Sequence, residues 1–472
     1  MINYLRNINR NVGEQFHYGF TLPKNISKNV GEVLNSSDVK KITFIVIFIL
    51  FFKVNKSFAQ QQIALSDAIN IALKNNLDIQ ISKNNVSAAS INNHIGVAGG
   101  LPTVTGSANS NQQLTALNQE LSNGTNIDRS SVFSNGTSFS VAGTFLLYNG
   151  GRVLATKNRL SELQNLSQAQ LNATIQSTIA DVMLKYYAVV QQQNFVTTLN
   201  QSIDVSKQKL SLIETRKSVG LSNDAELFQA QLDLNGQVQA LQSQNIIINQ
   251  AKSDLIRSLV LQPNSEIFVK DSIIVDRNIG WEEVEVQLKK NPDVLTTDIQ
   301  IVINKIIERE VNARKFPVIN VNTGYNYNRN QSAAGFTLLN QIYGPFLGFN
   351  VTMPLYTGTA NMRQLKVAKI NTENAKLQKE IVIQNFKNSA SKAWEAYNST
   401  IQLIDNEQKN YQIAQKLLNL ITQRFQLGQG TIIDIREAQQ SFENSGFRLN
   451  NLNYNAKVAE ITLKQIANQL GN

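Results

Sequence analysis

The sequence predicts an exported α+β membrane protein built as an internal tandem duplication, each copy combining two amphipathic strands with a long helical hairpin. Two stretches of nearly seventy residues contain neither glycine nor proline and have apolar residues at helical spacing. The segments before them alternate between apolar and neutral polar residues, as strands do. Both kinds of segment occur twice, in the same order, which indicates a repeated structural unit.

Composition narrows the class of protein. Of the 472 residues, 42% are hydrophobic and only 17% are charged, below the usual quarter, because Asn, Gln and Ser take the place of charged side chains. There is no Cys, and the two His are His17 and His94. The absence of Cys excludes disulfides, thiol nucleophiles and iron–sulfur clusters. Two His are too few for a metal or catalytic site built from imidazoles. We expect no enzyme activity, no cofactor and no metal.

The N-terminal segment 1–59 is predicted to be a leader that contains a signal peptide. Two lysines at 40–41 precede an apolar run at 42–52, which is too short for a membrane-spanning helix. Small residues in the Ser-Phe-Ala sequence at 57–59 fit a cleavage site, so the mature chain would start at Gln60. A short membrane anchor is the alternative. Either way, the protein is expected to be exported.

Residues 1–38 show no targeting pattern, and we expect translation to start nearer Val39, with 1–38 an upstream extension. The leader carries eight basic and three acidic residues, so the formal net charge of +10 falls to +5 without it. The high isoelectric point therefore gives no support to a nucleic-acid partner.

The duplication is visible by direct alignment of the two halves. Residues 73–79 align with 288–294 at an offset of 215, and 147–150 align with 355–358 at an offset of 208. The second offset then holds to the end of the repeat, so the difference in length lies in one loop. The predicted boundaries are a first repeat at 60–262, a linker at 263–280 and a second repeat at 281–472.

Each repeat is predicted to begin with a helix and to continue with two strands. The strands have one apolar and one neutral polar face, which suits a membrane β-barrel, although a half-buried sheet in a soluble sandwich is the alternative. Four strands cannot close a membrane barrel, because the smallest have about eight; three copies would supply twelve. The predicted strands are about 101–111, 136–148, 317–328 and 343–356.

The strands lead into predicted helical hairpins at 152–262 and 360–470. A helix of this length would extend about 100 Å at 1.5 Å per residue, which favours a long coiled coil. Gly220 and Gly428 end the two long helices, where a tight reversal requires glycine.

These features together resemble the TolC family of outer-membrane efflux channels. The resemblance implies a homotrimer, with a twelve-stranded barrel in the outer-membrane lipid of a Gram-negative bacterium and a helical barrel in the periplasm. A periplasmic adaptor (membrane fusion) protein and an inner-membrane pump would dock at its tip. The residues that carry it are the strand exits 148–152 and 356–358, the hairpin tips 216–222 and 424–428, and the acid-plus-Ala-Gln segments 226–231 and 434–439.

The resemblance also implies roles for residues at the hairpin tips, although simple turn residues are the alternative reading. By analogy, the adaptor-contacting tips would be Val219, Gly220, Leu221, Ser222, Leu427, Gly428, Gln429 and Gly430. Phe425 and Gly430 stand where familiar members have a Tyr and an Arg whose polar bonds keep the tip closed. Either apolar packing of Phe425 holds this gate closed, or its closed state is weaker.

Acidic residues just past the tips match pore-facing acids of the family. Asp434 and Glu437, with Glu226 as the counterpart in the first copy, would form carboxylate rings in a trimer. Such rings favour cations, and mutual repulsion raises the pKa of their members. The alternative is that these acids complement the positive end of a helix.

The sequence therefore favours a passive outer-membrane exit duct of a tripartite efflux or secretion system. Energy would come from the partner pump, and the polar lumen would discriminate weakly between substrates. The alternative is an exported structural or adhesive coiled-coil protein without a pore.

Overall fold

The computed structural model describes residues 61–470, so the predicted leader and the proposed start at Val39 lie outside the described residues. Within this range, no helix is both long enough and apolar enough to cross a membrane. The elements run β1 (Gln61–Ile63), α1 (Leu65–Asn75), α2 (Leu77–Asn92), β2 (Thr103–Glu120), β3 (Asn126–Tyr148), α3 (Arg152–Ser218), α4 (Asp224–Ser258), β4 (Ile267–Val269), α5 (Trp281–Leu288), α6 (Pro292–Ala313), β5 (Val318–Ser332), β6 (Leu339–Thr352), α7 (Ala360–Gln426) and α8 (Ile432–Ile466).

The two helical hairpins have identical lengths. Helices α3 and α7 each contain 67 residues, and α4 and α8 each contain 35. At 1.5 Å per residue the long helices extend about 100 Å. Helix α3 packs against α4 and α7 against α8, and α8 also packs along α3, so the two hairpins lie side by side.

A four-stranded antiparallel sheet in the order β2-β3-β5-β6 continues from the long helices. The helices next to it follow the same order, because α2 packs on α3, α3 on α6 and α6 on α7. The sheet is made by two β-hairpins of the two repeats, joined where β3 pairs with β5. Strands β2 and β6 are left as its free edges.

The first β-hairpin is longer than the sequence predicts. Strand β2 continues to Glu120 rather than ending near 111, and β3 begins at Asn126 rather than near 136. The outer parts of both strands are dominated by neutral polar side chains, so apolar alternation does not mark them, yet their backbone groups pair across nearly the whole hairpin. Strand β6 spans Leu339–Thr352 rather than 343–356: pairing with β5 begins it earlier, and it ends just before Pro354, which has no N–H for the ladder.

Each helix predicted at the start of a repeat consists of two helices. Asn76 separates α1 from α2, and its side chain accepts a hydrogen bond from the Ile79 amide. Asn291 has the same role before α6, where it accepts from the Asp293 amide. Asparagine is a favoured N-cap, so both repeats break at the same place for the same reason.

The predicted linker 263–280 contains a strand, β4, which pairs in parallel with β1. Tyr186 of α3 fastens this small sheet, because its single hydroxyl proton lies between two acceptors, the Ile63 carbonyl and the Asp271 carboxylate. The main apolar core surrounds the contact, where α1, α3 and α4 meet. The linker is therefore an ordered strap across the helices rather than a free connection.

Candidate functional site

The two hairpin tips have the same backbone geometry. In tip one, the Gly220 amide donates to the Lys217 carbonyl at 3.0 Å, and the Leu221 amide donates to the Arg216 carbonyl at 2.8 Å. This is a Schellman motif, and Gly220 adopts the positive φ (78°) that it requires. In tip two, Gly428 has φ 80° and makes the corresponding bond to the Phe425 carbonyl at 3.1 Å.

Apolar side chains are exposed at both tips. Val219 and Leu221 of tip one are 65% and 77% exposed, and Leu427 of tip two is 74% exposed. Ser222 is half-buried, and its hydroxyl donates to the Glu226 carboxylate at 2.5 Å. The predicted tip residues therefore do lie at the end of the hairpins, and some of them present apolar surface to the outside.

The predicted acids begin the helices that return from the tips. The Asp434 carboxylate accepts from the Thr431 amide at 2.8 Å, while the Thr431 hydroxyl accepts from the Asp434 amide at 3.2 Å. This reciprocal pair is a capping box at the start of α8. In the first repeat Asn223 caps α4 and accepts from the Glu226 amide at 2.9 Å.

Hydrogen bonding by the Thr431 amide holds the pKa of the Asp434 carboxyl below its ordinary value. Within one chain this shift is opposite to the one expected for a ring of repelling carboxylates. Glu437 is exposed, and among the described residues its carboxylate has neither a hydrogen-bond partner nor an ion-pair partner. The geometry of one chain thus gives Asp434 a capping role and leaves Glu437 free to face solvent.

Phe425 lies in an apolar cluster that joins all four helices of the hairpins near the tips. Its side chain is only 3% exposed. The cluster contains Ile213 of α3, Ala230 of α4 and Ile435 of α8. These contacts lie within one chain, so the role of Phe425 packing in a gate stays a prediction.

Arg216 is a tip residue to which sequence reasoning assigned no role. Its guanidinium donates to the Phe425 carbonyl at 2.5 Å and lies 4.8 Å from the centroid of the Phe425 ring. Arg424, its counterpart in the second repeat, bonds only within its own tip, to the Gln429 carbonyl at 3.2 Å. The matched arginines were visible in the duplication, but their different partners depend on how the hairpins pack.

At the other end of the helices, the strand register separates two chemically different faces. One face is apolar and exposed, with Phe139, Val141 and Tyr325 adjacent on neighbouring strands. The opposite face pairs Ser140 with Asn326. This polar face has no charged side chain in the paired segments 103–113, 134–144, 320–330 and 340–350.

A sheet with an exposed apolar face and a neutral polar face, continued by helical hairpins about 100 Å long, defines an outer-membrane channel subunit. Sequence comparison is in agreement. The pattern of the family described as "Outer membrane efflux protein" matches residues 68–259 and 306–469. The chain belongs to this family.

Known proteins resemble the chain over most of its length. The outer membrane protein TolC of Vibrio cholerae is 22% identical over 309 residues, which are 63% of this chain and 69% of that protein. The CmeC channel of Campylobacter jejuni has 16% identity and a TM-score of 0.71, with 86% of both chains covered. The open-state MtrE channel of Neisseria gonorrhoeae has 17% identity and a TM-score of 0.66, with coverage of 86% of this chain and 89% of that one.

The predicted fold and function are thereby confirmed. The chain is an outer-membrane exit duct of the tripartite efflux type, with a TolC-like α+β fold and a periplasmic extension in a Gram-negative bacterium, and it is not an enzyme. Channels of this family work as trimers with adaptor and pump partners. A pore-free adhesive protein does not fit this family.

Proposed function

We propose that three copies of this chain complete one duct, with its membrane part formed by twelve strands. The open sheet supports this proposal: β2 and β6 each pair on one side only, and each leaves a row of backbone donors and acceptors for a further strand. One sheet of four strands is too small to enclose a pore. A closed ring of three copies satisfies both free edges of each copy if every β2 pairs with the β6 of the next copy.

The neutral polar face then lines the duct and the apolar face contacts lipid. Asn side chains at 320, 322, 326, 328 and 330 follow one another along the polar face of β5. Neutral amides hydrate the passage without attracting either sign of charge, so this region discriminates weakly between substrates. Choice of substrate belongs to the pump, which also supplies the energy.

A periplasmic adaptor docks on the tips, at residues 219–222 and 427–430. The exposed apolar side chains described above support this, because such groups at the end of a polar helical hairpin are suited to burial in a partner. Leu221 and Leu427 are therefore expected to be central contacts. The inner-membrane pump joins the same end of the duct.

The tips are also the gate. Phe425 packs between the hairpins, and the acids Glu226, Asp434 and Glu437 begin the returning helices at the same level. Three copies bring these carboxylates together in the narrowest aperture, where they favour cations. Capping by Asp434 and cation selection by the ring are compatible, because a capping carboxylate keeps its negative charge.

The duct is tested with the full-length protein, expressed in a Gram-negative host and purified from outer membranes as a heat-dissociable trimer. We expect discrete, cation-preferring single-channel currents in planar bilayers, and weaker cation preference when Asp434→Asn and Glu437→Gln are combined. Absence of insertion into membranes contradicts the duct. Unchanged ion selectivity in the double variant contradicts the acidic gate but not the duct.

Docking is tested by export from cells. Leu221→Asn and Leu427→Asn together are expected to abolish export while leaving the bilayer current intact, because the pore remains and the partner is lost. Val286→Asn is the matched control, since Val286 on α5 is 64% exposed and lies away from the tips. Equal export defects in both variants contradict docking at the tips.

A further inference from the structure

Arg216 joins the two hairpins of one chain at their tips. It belongs to the last turn of α3, while its hydrogen-bond acceptor, the Phe425 carbonyl, belongs to the last turn of α7. The guanidinium also lies over the Phe425 ring. A single side chain of the first repeat is therefore bound to both the backbone and the side chain of the second.

Electrostatics favour this contact at both ends. The C-terminus of a helix carries partial negative charge, so a cation in the last turn is stabilising. Arg216 provides that cation for its own helix and for α7 simultaneously. Because Phe425 is buried in the shared apolar cluster and Arg216 is half-buried, solvent screens the interaction less than it screens an ion pair on the surface.

The equivalent arginine of the second repeat does not make this contact. Arg424 occupies the equivalent position in the second repeat, but it is exposed and bonds only to its own loop. Two arginines at an offset of 208 thus have different partners. Only Arg216 must lose its partner if the two tips of a chain separate.

We propose that Arg216 is the latch of the gate, holding the α3–α4 and α7–α8 tips of one chain together in the closed arrangement. It supplies the polar contact that Phe425, without a hydroxyl, and Gly430, without a side chain, cannot make. Opening consists of withdrawing the end of α7 from Arg216. This inference rests on the proposed gate at the tips.

The latch depends on the shape of arginine as well as on its charge. A planar guanidinium can stack on an aromatic ring while donating in its own plane, whereas a lysine ammonium provides only a point charge. Arg216→Lys is therefore expected to weaken the latch partially and Arg216→Gln to remove it. Phe425→Leu keeps the carbonyl acceptor and removes the ring, so it should resemble Arg216→Lys.

Single-channel recording measures the latch directly. Arg216→Gln should raise the ratio of open to closed time about tenfold, as expected for loss of a charged hydrogen bond. Arg424→Gln is the matched control and should stay within about twofold of the natural protein. An unchanged ratio in Arg216→Gln, or an equal rise in Arg424→Gln, overturns the latch. If the natural protein itself forms no channel, the proposed duct fails instead.

A second measurement does not depend on conduction. Since the chain has no Cys, nitroxide labels can be placed at Val219→Cys and Leu427→Cys, one on each exposed tip. The shortest distance between them should be narrowly distributed in the natural background and with Arg424→Gln. It should lengthen and broaden with Arg216→Gln. A distribution unchanged by Arg216→Gln overturns the latch even if the currents differ.

Discussion

At the scale of single residues, the proposed gate requires one carboxylate, that of Asp434, to serve folding and conduction together. Asp434 closes a capping box with Thr431, and the hydrogen bond from the Thr431 amide lowers the pKa of its carboxyl in the single chain. The same carboxylate keeps its charge at neutral pH, as a cation-selective gate requires. Two substitutions and a pH series separate these roles.

Thr431→Ala should loosen the start of α8. Loss of a threonine N-cap costs about 1 kcal/mol, which corresponds to about a fivefold increase in local opening. Hydrogen exchange of the amides at 432–436 measures this effect. Asn223→Ala is the matched control, because it removes the cap of α4 and should increase exchange only at the start of that helix. Changes at both tips in either variant contradict independent caps.

The pH dependence of the same amides distinguishes the two interpretations of Asp434. Its folded-state pKa is lower than the ordinary 3.8, so its stabilising contribution is complete above that value and disappears as pH falls through the lowered pKa. Protection, corrected for intrinsic exchange, should therefore persist to about pH 4 in the assembled protein. Loss beginning well above pH 4, and absent in Asp434→Asn, would mean that repulsion within the ring dominates.

The sequence could place the tips but not their internal contacts. Gly220 and Gly428 marked both reversals because positive φ restricts the choice of residue there. Phe425 was identified only as a departure from a family pattern, and the partner of Arg216 could not be found at all. Neighbouring residues determine local conformational preference, so it can be predicted from sequence. A contact between residues 209 positions apart depends on how complete helices pack.

At the scale of elements, the hairpins are held by apolar seams with a few buried polar links. Lys209 of α3 is fully buried and donates to Asp233 of α4 at 2.6 Å. Gln229 also donates to this carboxylate, at 2.7 Å. A charge in such a position is tolerated because its partner is fixed, so the pair specifies how α3 and α4 align.

Lys209→Met should destabilise the first hairpin by about 1–3 kcal/mol, because the half-buried Asp233 carboxylate loses its charged partner and keeps only the bond from Gln229. Thermal unfolding in detergent measures the loss. Lys207→Met is the matched control, since Lys207 and Asp204 form an exposed pair at 3.7 Å, and such pairs contribute at most about 1 kcal/mol. Adding Asp233→Leu to Lys209→Met should restore most of the stability; a further loss would contradict the proposed cause.

Element boundaries were predictable where a physical signal marks them. Glycine- and proline-free segments gave the long helices within a few residues. The strand ends were harder to predict, because neutral polar residues dominate the outer half of the β2–β3 hairpin and its few apolar residues do not alternate regularly. Strand β4 was too short to show a period, and it exists because the chain on either side is tied to α3.

At the scale of the whole molecule, the same substitution is expected to have opposite effects on the two faces of the sheet. Val141 and Ser140 are neighbours in β3, but Val141 lies on the apolar face and Ser140 on the polar face. Val141→Arg should prevent stable insertion, because an arginine facing lipid near the bilayer centre costs about 2–4 kcal/mol. Ser140→Arg should insert normally and shift the single-channel current towards anions.

Recovery of heat-dissociable trimers from outer membranes measures insertion of both variants. Normal trimers with Val141→Arg would contradict the assignment of the apolar face to lipid. Loss of trimers with Ser140→Arg would show that the polar face does not border a water-filled space. Because the two positions are adjacent, differences in local backbone stability cannot account for a divergent result.

Corresponding helices of the two repeats have equal lengths, and this restricts which insertions and deletions the protein can accept. Inserting one residue into α3 alone would move its tip by about 1.5 Å and turn its end by about 100°, taking Arg216 away from α7. A change in the length of the duct must therefore lengthen or shorten α3, α4, α7 and α8 together, in whole heptads. The outer β-hairpins carry no such obligation, and there the repeats do differ: β2 and β3 have 18 and 23 residues, against 15 and 14 in β5 and β6. The length of the duct is therefore fixed at its periplasmic end, whereas the length of its strands is free to vary at the outer end.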